Sequence, residues 1–191
     1  MKTTLLNPED YTRSPWKNGG GVFTDIADAH RADAPRKDWD SLLWRFASTP
    51  IVAPGPFSHM PGIDRLQMVV EGRGLVLKSP DEREPFTTVR FTGELEIVTA
   101  LEAGPVEVVN LMARRGAAEI GLVALKQPGD HRHLAAGTHL VYAPRGECRI
   151  RLDDEDFVVP RTGTLKLELD GSSQLSLVAG PAVLGSILLL V

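Results

Sequence analysis

A chain of 191 residues, 24% charged and 42% hydrophobic, suits one globular domain or two small ones, and its balance excludes wholesale disorder. A net charge of −4 and a pI near 5.7 lack the basic surplus of a nucleic-acid binder. With 18 glycines and 14 prolines the chain is interrupted too often for long helices, which favours short strands joined by turns.

Along the chain, Met1 to Asp10 lacks the apolar run of a signal peptide. Pro15-Trp16-Lys17-Asn18-Gly19-Gly20-Gly21 follows, where three glycines let the backbone approach a ligand and Lys17 and Asn18 supply a cation and an amide. It is not a Walker loop, because the lysine precedes the glycines; a plain turn is an equal alternative. Ala29 to Asp40 is polar and reads as an exposed loop. In Trp44-Arg45-Phe46-Ala47-Ser48, alternation separates Trp44, Phe46 and Ser48 from Arg45 and Ala47, so Arg45 points either into a pocket or to the surface. Gln67 to Val70, Glu71-Gly72-Arg73-Gly74 and Leu75 to Leu77 read as strand, tight turn, strand. In Asn110-Leu111-Met112-Ala113-Arg114-Arg115, one arginine at most faces inward.

The second half shows cleaner alternation. His131, His133 and His139 sit among turn residues without a carboxylate at ligand spacing, which favours a surface loop over a metal site. Cys148-Arg149-Ile150-Arg151-Leu152 and Phe157-Val158-Val159 flank an acidic turn and read as a hairpin, with Cys148 as a packed thiol. Leu165, Leu167 and Leu169, then Asp170 to Ser173, then Leu175-Ser176-Leu177 read as another. Leu175 to Val191 is apolar but short, and holds Gly180, Pro181 and Gly185, so it reads as a buried strand rather than a membrane span. The single cysteine fits a reducing, cytoplasmic compartment.

Three short strings recur in order, offset by 70 to 76 residues. Val69 to Gly74 matches Val141 to Gly146, Thr92 to Ile97 matches Thr162 to Leu167, and Ala103 to Val106 matches Ala179 to Ala182. They predict two copies of one β unit, joined near Gly116 to Gly129.

The Pro/Gly-rich approach Pro54 to Arg65, leading into strand, Gly-x-Gly and strand, resembles the cupin fold. Metal cupins carry His-x-His, then Glu, then Gly, and a second His four residues before an Asn. Set on that pattern, His59 takes the first His position, Pro61 the second, Arg65 the Glu position and Asn110 the Asn, with Val106 at the last His. Only His59 survives of four ligands, which predicts no metal and no cofactor. A guanidinium in that place suits a carboxylate, bound through two parallel hydrogen bonds. The competing reading is an Asp64–Arg65 pair that braces the loop.

Together with Trp44-Arg45, Gly55-Pro56-Phe57-Ser58, Pro61 to Arg65, Glu71 to Leu75, Phe91 to Glu94 and Asn110 to Arg115, the Pro15 to Gly21 string resembles the HutD/Ves family. The likeness covers about residues 5 to 116 well; Val22, Asp25 and His59 depart from the usual family residues. It implies an all-β bicupin, two tandem small β-barrels of the RmlC-like jelly-roll type packed together. Residues 1–116 would form the barrel with the pocket and 117–191 a structural barrel, terminal segments crossing between them. It further implies binding of a small acidic metabolite of histidine breakdown (urocanate, formylglutamate or formiminoglutamate) in an accessory or regulatory role. The expected binding residues are Trp16, Lys17, Asn18, Gly19, Gly20, Arg45, Phe57, Ser58, His59, Arg65, Asn110 and Arg115, with Trp44 as a further apolar wall. A second reading is a metal-independent hydrolase or isomerase with His59 as general base. A third is an interaction module, with Arg114 and Arg115 exposed and no cavity at Arg65. Neither nucleic acid nor membrane is an expected partner; exposed strand edges are compatible with a homodimer.

Overall fold

The computed structural model describes residues 1–15, 22–34, 38–77 and 83–190. Among them the strands are β1 (Lys2–Leu6), β2 (Thr12–Pro15), β3 (Val22–His30), β4 (Leu42–Ile51), β5 (Gly55–Pro56), β6 (Ile63–Glu71), β7 (Leu75–Val76), β8 (Thr88–Thr92) and β9 (Val98–Leu101). They continue as β10 (Val106–Arg114), β11 (Ala118–Leu125), β12 (His131–Leu134), β13 (Gly137–Tyr142), β14 (Cys148–Leu152), β15 (Glu155–Val159), β16 (Thr164–Leu169), β17 (Ser173–Ala179) and β18 (Ala182–Leu189). The described helical structure is a single 3-10 turn at Pro8–Asp10, and among the described residues no helix is long and apolar enough to cross a membrane. The apolar C-terminus forms β17 and β18.

Contacts divide the chain into two compact units, one of Thr12–Ile120 with Leu190 and one of Met1–Tyr11 with Gly121–Leu189. The first holds a six-stranded sheet, β2-β3-β4-β10-β6-β8, and a three-stranded one, β5-β9-β7. Ile51, Val69, Leu75, Phe91, Val106 and Val108 join the two sheets in one apolar cluster. The second holds a five-stranded sheet, β1-β16-β13-β18-β11, and a four-stranded one, β12-β17-β14-β15, whose leucines share another cluster. Alternation drives this packing, as in β14, where Cys148, Ile150 and Leu152 are buried while Arg149 and Arg151 are exposed. Burial pushes the Cys148 thiol up to about 12, which suits a packed apolar side chain.

The sequence grouped residues 1–116, whereas β1 runs antiparallel to β16 from Lys2 opposite Glu168 to Leu6 opposite Thr164. The N-terminal amine also pairs with Asp170 at 2.7 Å. The first eleven residues therefore belong with the later unit, and the division falls at Ile120.

Strand positions were easier to read than strand partners. β14 and β15 pair as a hairpin through Asp153, which takes a left-handed φ of 50°. β16 and β17 do not pair, however, and neither do β6 and β7: in each case the turn carries the chain from one sheet to the other. Nor is Ala29 to Asp40 loop throughout, since β3 continues to His30 by pairing with Leu42.

The units repeat one set of pairings. β6 with β8, β7 with β9 and β6 with β10 recur as β13 with β16, β14 with β17 and β13 with β18. Just before β8, Phe86 has φ 60° and donates its N–H to Val69 at 2.9 Å; just before β16, Thr162 has φ 59° and donates to Ala143 at 2.7 Å. Thr162 thus corresponds to Phe86, not to Thr92, which ends β8. The other two string matches fall at equivalent turns. There Gly72 packs so closely that a Cβ would lie 2.6 Å from the Pro105 oxygen, and one on Gly180 would lie 2.4 Å from that of Glu147.

Two outcomes follow. Gly72→Ala adds that Cβ at a φ of 75° and should destabilise the protein by about 2 kcal/mol, read as a lowered denaturant midpoint. Gly146→Ala, where a Cβ meets nothing within 4 Å, should leave the midpoint almost unchanged. The second concerns buried His139, whose Nε2 donates to the Ala135 carbonyl at 2.9 Å and whose Nδ1 accepts from the Ser186 hydroxyl at 2.9 Å. Burial lowers its pKa, so the unfolded chain binds the proton more readily than the folded one. Its contribution to stability is complete above about pH 6.5 and shrinks as pH falls below that value. His139→Gln should flatten the melting-temperature profile between about pH 6.5 and 5; an unchanged slope would contradict this assignment.

Candidate functional site

The six-stranded sheet presents one face to a cavity of about 50 Å³. β4 contributes Thr49 and Ile51, β6 contributes Arg65 and Gln67, and β10 contributes Val108, Asn110 and Met112. Phe23 of β3, Trp39, Phe57, Ser58 and Met60 complete the described lining. Antiparallel register explains the grouping, because Arg65 lies opposite Met112 and Gln67 opposite Asn110, so their alternating side chains share a face. Trp44 and Phe46 fall on the other face of β4, away from the cavity.

Arg65 is the charged residue of this lining and is only 7% exposed. Its Nη2 donates to Asn110 Oδ1 at 3.1 Å. The guanidinium carbon lies 5.1 Å from the Phe57 ring centre and 4.8 Å from that of Phe91, and the two rings stack at 6.0 Å. Desolvating a guanidinium is expensive, and an amide oxygen and two ring faces offset part of that cost. They also fix the orientation of a planar group whose N–H donors match a carboxylate.

Arg45 neither lines the cavity nor stands on open surface. Its Nε pairs with Asp25 at 2.8 Å, and its guanidinium lies 4.8 Å from the Phe23 ring and 4.5 Å from the Trp39 ring, both of which line the cavity. Burial raises the Asp25 carboxyl pKa against the opposing pull of Arg45 and of the Ser14 hydroxyl, which donates to it at 2.8 Å. This pair therefore supports the ring wall from behind.

The adjacent arginines of β10 and its following turn diverge. Arg114 donates to the Leu42 carbonyl at 3.0 Å and to the Trp39 carbonyl, fastening the segment that carries Trp39. Arg115 was expected in the pocket; it is an exposed residue paired with Asp64 at 2.9 Å and Glu94 at 3.1 Å. Those bonds hold Glu94 down at about 2, with help from the Gly62 N–H. Asp64 thus pairs with Arg115 rather than with Arg65, because neighbouring residues of a strand point to opposite faces.

His59 is exposed and lines a separate surface cleft with Phe57, Leu95 and Val98, which does not place it as a base for a ligand on Arg65. Phe57, Ser58, Arg65 and Asn110 are the expected residues that the fold brings together. Trp16, Lys17, Asn18, Gly19 and Gly20 lie outside the described residues. Gln67 follows Arg65 at the strand period and Met112 follows Asn110 likewise, whereas Phe23, Trp39 and Thr49 carry no local signal. The described lining does not fit a cupin metal: it offers neither imidazole nor carboxylate, and its charged group is a guanidinium. His131 and His133 are exposed on β12, His139 is buried, and no metal-binding cluster of three occurs among the described residues.

A protein from Pseudomonas putida, described as an uncharacterized 21.2 kDa protein in the hutC 3' region, is 32% identical over 112 residues. That match covers 56% of each chain, so this chain spans just over half the length of the curated relative it matches. Among solved structures, a conserved protein of unknown function from Pseudomonas aeruginosa PAO1 superposes with a TM-score of 0.80 at 26% identity, covering 98% of both chains. HutD from Pseudomonas fluorescens SBW25 gives 0.77 at 23%, covering 98% of this chain and 99% of that one. A cupin 2 conserved barrel domain protein from Leptotrichia buccalis gives 0.53 at 11%, covering 92% and 91%, a likeness of fold alone that makes this all-β architecture cupin-like. The family model described as HutD matches residues 8–184, and the chain belongs to the HutD family.

Proposed function

We propose that this chain is a bicupin that binds a small carboxylate metabolite of histidine breakdown in an accessory or regulatory role, acting in the cytoplasm. The observation that carries this reading is Arg65, a buried guanidinium steered by Asn110 and two rings, facing a cavity. The rest of the described lining consists of rings, thioethers, aliphatic groups, amides and hydroxyls, which recognise shape and hydrogen-bonding pattern rather than transfer protons. Family membership and the hutC-adjacent gene of the Pseudomonas putida relative support a role in histidine utilisation. Urocanate, formylglutamate and formiminoglutamate, the acids that the family resemblance implies, each offer a carboxylate for Arg65 and polar atoms for Gln67 and Asn110. The repeated strand pairings support the two-barrel reading.

Calorimetric titration of the protein with each of the three acids tests the site. At least one should bind, and Arg65→Ala should weaken it by about thirtyfold or more, since a buried charged hydrogen bond is lost. Arg65→Lys should recover only part of the affinity, because an ammonium lacks the planar fork. Arg115→Ala should bind like the wild type. No binding of any acid, or unaltered affinity in Arg65→Ala, would overturn the reading.

A further inference from the structure

The sheet face that carries the cavity continues past it. Val108, Asn110 and Met112 line the inner cavity, and Arg114, next on the same face of β10, lines an outer cleft of about 250 Å³. On β6 the same step runs from Gln67 and Arg65 to Ile63, which lies opposite Arg114. Successive same-face residues are about 7 Å apart, so the two spaces are consecutive along one sheet. Trp39 and Met60 line both, and so form the partition between them. Trp39 packs against the cluster of Met60, Ile63 and Met112, its ring covers Arg45, and its carbonyl accepts from Arg114.

We propose that Trp39 sets the length of the ligand by walling the inner cavity off from the outer cleft, with Arg114 as the positioning residue that holds it in place. This rests on the carboxylate reading above. An acid anchored on Arg65 extends along the apolar face toward Met112 and stops at the indole. With the indole removed, the same acid reaches the outer cleft and Ile63. Trp39 is then a specificity-determining residue, although the sequence pattern assigns it to a polar loop. The Arg114 bonds to the backbone carbonyls of Trp39 and of Leu42, the first residue of β4, explain why the wall stays in register with the sheet.

A length series tests this: straight-chain monocarboxylates from butanoate to dodecanoate, titrated beside urocanate and formylglutamate against wild type, Trp39→Ala, Trp39→Leu and Arg114→Gln. Wild type should bind with affinity that rises with length and then falls. Trp39→Ala should move that limit to longer acids, binding octanoate about tenfold more tightly than wild type does, as two further methylenes are buried. Trp39→Leu keeps an apolar filler for the Met60 cluster and should shift the limit less, so the comparison survives if the alanine variant fails to fold. Arg114→Gln should shift the limit while keeping affinity for the shortest acid that binds; a purely structural role would lower the melting temperature and leave the length profile in place. Equal profiles in wild type and folded Trp39 variants, with urocanate or formylglutamate still bound, would overturn the Trp39 assignment alone. No binding of any acid by any form would overturn the carboxylate reading and this inference with it.

Discussion

A guanidinium buried inside a β unit constrains everything around it. Arg65 is withdrawn from water on a strand whose other buried residues are mostly apolar, and its charge requires compensation from fixed neighbours. Asn110 reaches it from β10, and Phe57 and Phe91 lie beside it from the loop after β5 and from β8. Those contacts depend on the register of β6 between β10 and β8; a slip of one residue would turn Arg65 away from the cavity and bring Asp64 into it. The same alternation lets Asp64 meet Arg115 on the outside. Register, cavity and surface ion pairs are thus consequences of one placement.

The wall opposite this arginine is built from a segment with little regular structure. Asp38 Oδ1 accepts the N–H groups of Asp40 and Ser41, Ser41 Oγ accepts the Asp38 N–H, and His30 Nδ1 sits 2.8 Å from the same hydroxyl. Arg114 adds its bonds to the Trp39 and Leu42 carbonyls. A turn closed by its own polar side chains and clamped by an arginine from the sheet fixes the backbone that carries the aromatic ring. Arg45 and Asp25 supply a second support behind the ring.

How much of this was legible depended on whether the signal was local. Alternation in Cys148 to Leu152 and Leu165 to Leu169 gave their strands directly, since one face is buried and the other wet. It did not give the partners, because a turn such as Gly72 to Gly74 serves equally to close a hairpin or to cross between sheets, and burial across the core decides. The internal repeat is visible at two equivalent turns; at the third, the shared feature is a left-handed residue, Phe86 or Thr162, with no common side chain. Arg65 and Asn110 stand at motif positions, and the register of β6 against β10 brings them together. Trp39 escaped because its neighbours are polar and its bonds come from 75 residues away. Arg115 was misplaced for the opposite reason: a double arginine gives no indication of which member faces inward.

The central claim is that Arg65 is the anion-binding group of this cavity. The most direct measurement is the NMR spectrum of arginine guanidinium groups in 15N-arginine-labelled protein, recorded as urocanate or formylglutamate is added, with Arg65→Lys to assign the signal. The account predicts that the Arg65 resonance shifts with saturation while those of Arg115 and Arg151, held in surface ion pairs, stay in place. Movement of the surface arginines alone, or of none with an acid that demonstrably binds, would contradict it.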